Sequence, residues 1–286
     1  MARIAIVGGG NMGEALLAGL LKAGRPTRDL VIAEKSSGRA THLAQTYSVR
    51  VTDVADAVEN AAVVILAVKP ADAESLIAEI AGAATRAESN TVEQVLISVI
   101  AGVTTGFYES RLPAGFPVIR VMPNTPALVG AGVSALCGGR FVTAEQLSAA
   151  AELFESVGAV LTVTESQMDA VTAVSGSGPA YIFLFTEALI DAGVASGLNR
   201  AVATDLAVQT LAGSAAMLLD RTEAAQRDHP GRPDTSAAEL RALVTSPGGT
   251  TTAGLRELER GGLRAAVAAA VEAAKTRSEQ LGITSE

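Results

Sequence analysis

Arg3-Ile4-Ala5-Ile6-Val7-Gly8-Gly9-Gly10-Asn11-Met12-Gly13 is a short apolar strand run that passes straight into glycines, then into a helical pattern carried by Leu16, Leu17, Leu20 and Leu21. The glycines form G-x-G-x-x-G in the setting that gives the pattern meaning, strand before and helix after. Gly8 permits the tight turn, Gly10 lets a pyrophosphate meet the helix N-terminus, and Gly13 lets helix and strand approach closely. Val7, Gly9, Asn11 and Met12 complete the candidate dinucleotide-binding turn.

The same alternation continues along the first half. Leu30 to Glu34, Ala62 to Val68, Val95 to Val99 and Val118 to Met122 are short β-branched runs, each followed by turn chemistry and a helical stretch. That alternation predicts a doubly wound parallel sheet of Rossmann type. A further strand pair, near Gly132 to Cys137 and Ala159 to Val163, flanks a helix from about Thr143 to Val157. Beyond Glu165 the strand signals stop, and helices are expected at about 166–174, 179–196, 200–220, 236–245, 250–260 and 263–281. The expected class is α/β, with a dinucleotide-binding domain over 1–164 and an all-helical substrate-binding and oligomerisation domain over 165–286. Asp228-His229-Pro230-Gly231-Arg232-Pro233-Asp234 is the one linker-like stretch.

Only 3% of the 286 residues are aromatic while 49% are hydrophobic, so the core is expected to be many small aliphatic contacts. A formal charge of −8 argues against nucleic acid or an anionic membrane as the main partner. Cys137 is the single cysteine, which excludes an intrachain disulfide and suits a reducing compartment; a small buried hydrophobe is its plainest reading. The first apolar run stops at the glycines, and the run from Tyr181 to Leu198 carries Glu187 and Asp191. Neither reads as a targeting or membrane-spanning segment, so a cytoplasmic protein is expected. Ala-rich helices with many apolar faces are hard to bury within roughly 120 residues alone, which points to at least a dimer. No motif calls for a metal.

In an open α/β sheet ligands sit outside the carboxyl ends of the strands. Ala67-Val68-Lys69-Pro70 ends one strand, Ser98 to Gly102, with Ala101, another, and Met122-Pro123-Asn124-Thr125-Pro126 a third. Backbone amides there can hold the nicotinamide and its ribose, while Pro70 and Pro123 serve equally as turn or helix starters. Lys69 either orders its loop or meets phosphate, or is simply solvated. Glu34 stands about 20 residues past Gly13, where an acid accepts the ribose 2′-OH of NAD. Lys35, Ser36, Ser37 and Arg39 follow at once and suit a 2′-phosphate, so both NADH and NADPH are expected to work.

Two hydroxyl-rich segments mark the helical half. Thr245-Ser246-Pro247-Gly248-Gly249-Thr250-Thr251-Thr252 reads either as an anion pocket at a helix N-terminus or as a plain helix cap. Val174-Ser175-Gly176-Ser177-Gly178-Pro179-Ala180-Tyr181 either lets a flat ring lie close to backbone or caps the long helix after it.

Together these pieces resemble the pyrroline-5-carboxylate reductases over nearly the whole chain. The carriers are GGGNMG at 8–13, AVKP at 67–70, VIRVMPNTP at 118–126, SGSGPAY at 175–181 and, most specific, VTSPGGTTTAGLRELE at 244–259. The resemblance implies reduction of 1-pyrroline-5-carboxylate to L-proline by NADPH or NADH, with no metal. It implies that Gly8 to Gly13, the loop after Glu34 with Lys35 and Ser36, Ala67 to Pro70, the loop near Ala101, and Asn124 bind the dinucleotide. It places the substrate at Ser177, Gly178, Val244, Ser246, Gly248, Gly249 and Thr250, with the Thr251 hydroxyl near the ring nitrogen as the catalytic group. It also implies interlocked helical domains, so that substrate and cofactor loops come from different subunits of a homo-oligomer. Two departures stand out: the segment between His229-Pro230 and Ala238-Glu239-Leu240-Arg241 is longer than the family's spacing, and Thr52-Asp53-Val54 stands where the family often has Asn.

A cyclic imine can arrive already protonated, so it accepts hydride without a strong enzymic acid. His42 and His229, the only histidines, are accordingly not needed: one lies in a cofactor-domain helix, the other in the polar loop. The competing enzyme class, hydroxyacid dehydrogenases of similar architecture, uses a lysine on the first long helix, and no lysine occurs from Pro179 to Leu198. A non-enzymatic redox-sensing module would share the glycine turn but has no use for a second pocket.

Overall fold

The computed structural model describes residues 3–86, 94–228 and 234–282; the linker-like run at 229–233 lies outside them. One sheet contains β1 (Ile4–Val7), β2 (Leu30–Ala33), β3 (Arg50–Thr52), β4 (Val63–Leu66), β5 (Val95–Ser98), β6 (Val118–Met122), β7 (Gly132–Gly138) and β8 (Gly158–Thr162). Their order across the sheet is β3-β2-β1-β4-β5-β6-β7-β8, so the winding direction reverses between β1 and β4.

The strand sequences IAIV, LVIA, VVIL and VLIS are apolar on both faces because helices cover both. Alternate side chains go to opposite sides. Ile4, Ile6, Ile32 and Ile65 join a core with Leu16, Leu17 and Phe154, while Ala5, Val7, Val64 and Leu66 join another with Phe107 and Tyr108. The covering helices are α1 (Asn11–Lys22), α2 (Ser37–Tyr47), α3 (Val54–Val58), α4 (Ala73–Arg86), α5 (Thr105–Glu109) and α6 (Ala144–Glu155). Thr143 starts α6 with a reciprocal cap, its hydroxyl accepting from Gln146 N–H and its own N–H donating to Gln146 Oε1.

Two features of the sheet depart from the sequence reading. β3 was not expected: three residues carry no apolar run, and β3 exists by pairing with β2. The sheet is also not parallel throughout, since β7 runs antiparallel to β6. A parallel return needs a crossover of a dozen or more residues, and the connection over 123–131 is too short for one.

The remaining helices are α7 (Met168–Val171), α8 (Gly178–Ala195), α9 (Arg200–Asp228), α10 (Ser236–Leu243), α11 (Thr250–Arg260) and α12 (Leu263–Leu281). α9 runs on to Asp228, past the expected end near 220, through the helix-favouring Glu-Ala-Ala-Gln-Arg. The helix expected at about 166–174 runs on as a π-helical turn over Thr172–Gly176, into the start of the Val174–Tyr181 segment read as a loop, and is closed by Ser177 N–H on the Thr172 carbonyl at 2.9 Å.

By compactness the chain divides into one unit of Met1–Pro179 with Val271–Glu286 and a second of Ala180–Ala270. That division falls later than the boundary near 164 read from the loss of strand signals. Met168 is fully buried against Ala135 and Cys137, and Ser278 Oγ donates to Asp169 Oδ1 at 2.7 Å, so both segments belong with the sheet. In the second unit α8 has no buried residue and α9 only Ala203 and Ala207. Phe183, Leu184 and Leu219 are about two-thirds exposed. By length and composition alone, Glu165–Ala195 and Arg200–Asp228 are each long and apolar enough to cross a membrane.

Candidate active site

The register sets Ala33, Val7, Leu66 and Ser98 in one row across β2, β1, β4 and β5. Gly8, Glu34 and Ala67 therefore emerge side by side at the carboxyl edge. Gly8 N–H donates to the Ala33 carbonyl at 2.9 Å and Ala67 N–H to that of Val7 at 2.8 Å. Gly8 has φ +104° and a Cβ there would lie 2.5 Å from the Ala67 carbonyl oxygen; one on Gly13 would overlap the Gly8 carbonyl. Gly10 is the N-cap of α1, no side chain caps that helix, and a Cβ on Gly10 would meet nothing within 4 Å. Unpaired N–H groups thus face open space at the positive end of a helix, which fits a pyrophosphate.

Beside this turn, Glu34 Oε2 accepts from Gly9 N–H at 2.9 Å and Oε1 from Ser36 N–H at 2.7 Å. Arg39 Nε donates to the Gly9 carbonyl at 2.5 Å and its guanidinium pairs with Glu14. Burial raises the Glu14 carboxyl, but hydrogen bonds from His42, Arg39 and Tyr47 outweigh it and hold the group below the usual range. Lys35 pairs with Asp72 at 3.1 Å. Lys69 is exposed, with no ion-pair partner among the described residues. Pro70 opens a short 3-10 turn over Pro70–Asp72, the helix-starting role allowed for it. Asn124 uses both ends of its amide within the protein, Oδ1 accepting from Val133 N–H at 2.9 Å and Nδ2 donating to the Ser175 carbonyl at 3.1 Å.

In the second unit Val244 ends α10 and Gly249 is the N-cap of α11, again without a capping side chain. Gly248 has φ +72°, and Gly249 N–H donates to the Ser246 carbonyl at 3.0 Å. Thr252 Oγ1 also donates to that carbonyl, at 2.6 Å. Thr250 and Thr251 lie in the first turn of α11, exposed, and their hydroxyls have no hydrogen-bond partner among the described residues. The helix-cap alternative therefore does not describe Thr251. Ser177 and Gly178 sit at the junction of the π turn and α8.

A family model described as "Pyrroline-5-carboxylate reductase dimerisation" matches residues 165–281, and one described as "NADP oxidoreductase coenzyme F420-dependent" matches 3–102. The pyrroline-5-carboxylate reductase of Mycobacterium tuberculosis is 65% identical over 100% of this chain and 99% of its own, and that of Mycobacterium leprae 62% identical over the same shares. The chain belongs to the pyrroline-5-carboxylate reductase family. Among solved structures, the reductase of Coxiella burnetii superposes with a TM-score of 0.86 at 34% identity, covering 99% of each chain. The Plasmodium falciparum pyrroline carboxylate reductase, solved with NADP bound, gives 0.81 at 30% identity over 98% of each.

In this chain most of the large apolar side chains that lie open fall in the part matched by the dimerisation model, with Leu128, Val129, Phe141 and Leu161 outside it. The first unit holds a buried polar cluster that sequence reasoning missed. Arg120, in β6, is 2% exposed; Nη1 donates to Glu165 Oε1 at 2.5 Å and Nη2 lies 3.9 Å from Asp169 Oδ1. Glu165 Oε2 accepts from Thr105 N–H at 3.2 Å, Thr105 Oγ1 at 2.8 Å and Cys137 Sγ at 3.5 Å. Burial first, then the charge and hydrogen bond of Glu165, push the Cys137 thiol up to about 12. Among the described residues no group of three His, Cys, Asp or Glu is gathered as a metal site.

Proposed function

We propose that the protein reduces 1-pyrroline-5-carboxylate to L-proline with NADPH or NADH, working as a soluble cytoplasmic homo-oligomer. Residues 1–164 serve as the dinucleotide domain and 165–286 as the substrate-binding and oligomerisation domain, although the stretches up to Pro179 and from Val271 fall in the compact unit of the sheet. One observation carries this reading: two uncapped helix N-termini, at Gly10 and at Gly249, stand in the two units of a chain of this family. The first suits a pyrophosphate and the second a carboxylate.

Gly8 to Gly13, Glu34 to Ser36, Ala67 to Pro70 and the backbone near Ala101 and Asn124 would hold the dinucleotide. When bound, the reduced nicotinamide supplies hydride to the imine carbon. The chain's own residues then hold and orient: Gly248 and Thr250 offer backbone N–H groups to the carboxylate, Gly249 closes the turn between them through its own N–H on the Ser246 carbonyl and leaves room for the ligand, and Val244, Ser246, Ser177 and Gly178 complete the substrate-binding set. The Thr251 hydroxyl, without a partner among the described residues, orients the ring nitrogen rather than supplying acid strength. A partner subunit brings its substrate loop to the cofactor loops, and water is excluded as reacting carbons are held at about 3 to 3.5 Å.

The test is oxidation of NADPH and of NADH, followed at the nicotinamide absorbance, with pyrroline-5-carboxylate as acceptor. Turnover with formation of proline is expected. Tight dinucleotide binding without turnover would leave a sensing module instead, and turnover only with 2-keto acids would leave a hydroxyacid dehydrogenase.

A further inference from the structure

The loop leaving β5, Val99 to Thr104, is held from three sides by residues of the same compact unit. At its start, Ile100 N–H donates to Ser98 Oγ at 3.3 Å, and that hydroxyl shares a buried 2.8 Å hydrogen bond with Tyr108. At its crest, a Cβ on Gly102 would lie 3.2 Å from the Leu281 carbonyl, so the end of α12 lies directly against the loop. At its end, Thr105 is fixed through both N–H and hydroxyl by one carboxylate oxygen of Glu165, sixty residues away in sequence.

The other Glu165 oxygen receives the buried Arg120 guanidinium. Arg120 also faces Asp169, which holds Ser278 near the end of α12. Two of the three supports therefore converge on Arg120. A buried ion pair generally stabilises a fold no more than apolar packing would, so its placement asks for a reason besides stability.

The topology says what this loop would touch. Glu34, at the end of β2, stands where an acid meets the adenine-side ribose, and a dinucleotide crosses the switch point between β1 and β4. Loops on the β4 and β5 side accordingly take the nicotinamide half. We propose that Glu165 is a positioning residue for the nicotinamide half of the cofactor, clamping the β5 loop through Thr105 while Arg120 holds its carboxylate in place. This rests on the reading that the sheet unit binds NAD(P)H.

Isothermal titration of the full-length protein with NADPH, and separately with 2′,5′-ADP, which lacks the nicotinamide half, tests the clamp. Thr105→Val removes the hydroxyl at constant shape, and Glu165→Asp retracts the carboxylate while leaving Arg120 a charged partner. Both are expected to weaken NADPH about fivefold to tenfold and to leave 2′,5′-ADP within about twofold, with Thr105→Ser restoring wild-type affinity. Unchanged NADPH affinity beside a lowered Tm would overturn the proposal, as would equal weakening of both ligands. If Thr105→Val fails to fold, Glu165→Asp decides alone. Wild-type protein that binds no dinucleotide would overturn the cofactor reading itself, whereas wild-type binding lost in Gly10→Val but kept in both clamp variants rejects only the clamp.

Discussion

The carboxylate of Glu34 accepts a hydrogen bond from the backbone N–H of Gly9 at 2.9 Å, joining the end of β2 to the turn after β1. Its other oxygen takes Ser36 N–H, so the acid is built into the floor where an adenine-side ribose would rest. A 2′-phosphate placed there meets a fixed negative charge. Glu34→Ser is expected to raise the ratio of kcat/KM for NADPH over NADH by about tenfold, equivalent to roughly 1.4 kcal/mol. Steady-state kinetics with both cofactors checks this; an unchanged ratio would make Glu34 a structural tie only.

Thr251→Val keeps shape and removes a hydroxyl that has no partner among the described residues. A fall in kcat/KM of roughly 10 to 100 fold is expected, or about 1.4 to 2.7 kcal/mol of transition-state stabilisation. Since Gly249 is the cap of α11, stability should change by less than about 0.5 kcal/mol. Calorimetry beside kinetics separates the two effects, and normal kinetics in the variant would reject the catalytic role.

Gly249→Ala brings a methyl group near the Ser246 carbonyl oxygen, 3.2 Å from the new Cβ, at the proposed carboxylate cradle. KM for pyrroline-5-carboxylate is expected to rise by about tenfold while dinucleotide affinity stays within about twofold. A rise confined to the dinucleotide Kd would place the substrate elsewhere.

Phe183, 66% exposed on α8, offers a direct probe of assembly. Light scattering of the wild-type protein at micromolar concentration should give a dimer or larger species. Phe183→Asp should shift the population to monomer and abolish turnover without disturbing the sheet unit. A fully active monomer would reject the shared site.

Burial tends to raise the Glu165 carboxyl, yet the hydrogen bond and charge of Arg120, with Thr105, hold it below the ordinary glutamate range. A folded pKa below the unfolded value of about 4.3 means stability that is present above that value and lost as pH falls through the folded pKa. Glu165→Gln should therefore cost about 2 kcal/mol at neutral pH, partial exposure reducing the full cost of a broken buried pair. Urea titrations at neutral and acid pH should show the wild type losing this advantage on acidification; an equal gap at both would assign the effect to packing.

Local demands were legible because single residues express them. Gly8 and Gly13 stand where a side chain would collide, and the apolar runs of β1, β2, β4 and β5 need cover on both faces. Long-range demands left no such mark. Arg120 reads as one charge in an apolar run, and its partners lie 45 and 49 residues onward, beyond any local spacing rule. The π turn at Thr172–Gly176 carries the expected helix past 174 into a segment read as a loop, because small residues permit both; the bond from Ser177 to Thr172 marks the difference. Thr251 was placed by family resemblance; the structure adds that its hydroxyl is not used by the cap.

The eighteen residues of α8 include none that is buried, although most are apolar. A helix whose cover comes from a second copy has no fixed stability of its own, because its unfolding equilibrium contains protein concentration as a variable. For a chain covered in that way, as proposed for this one, dilution would act as a denaturant on the helical unit, Ala180–Ala270, and leave the sheet untouched. The cell's expression level then becomes a term in the folding free energy of the helical unit.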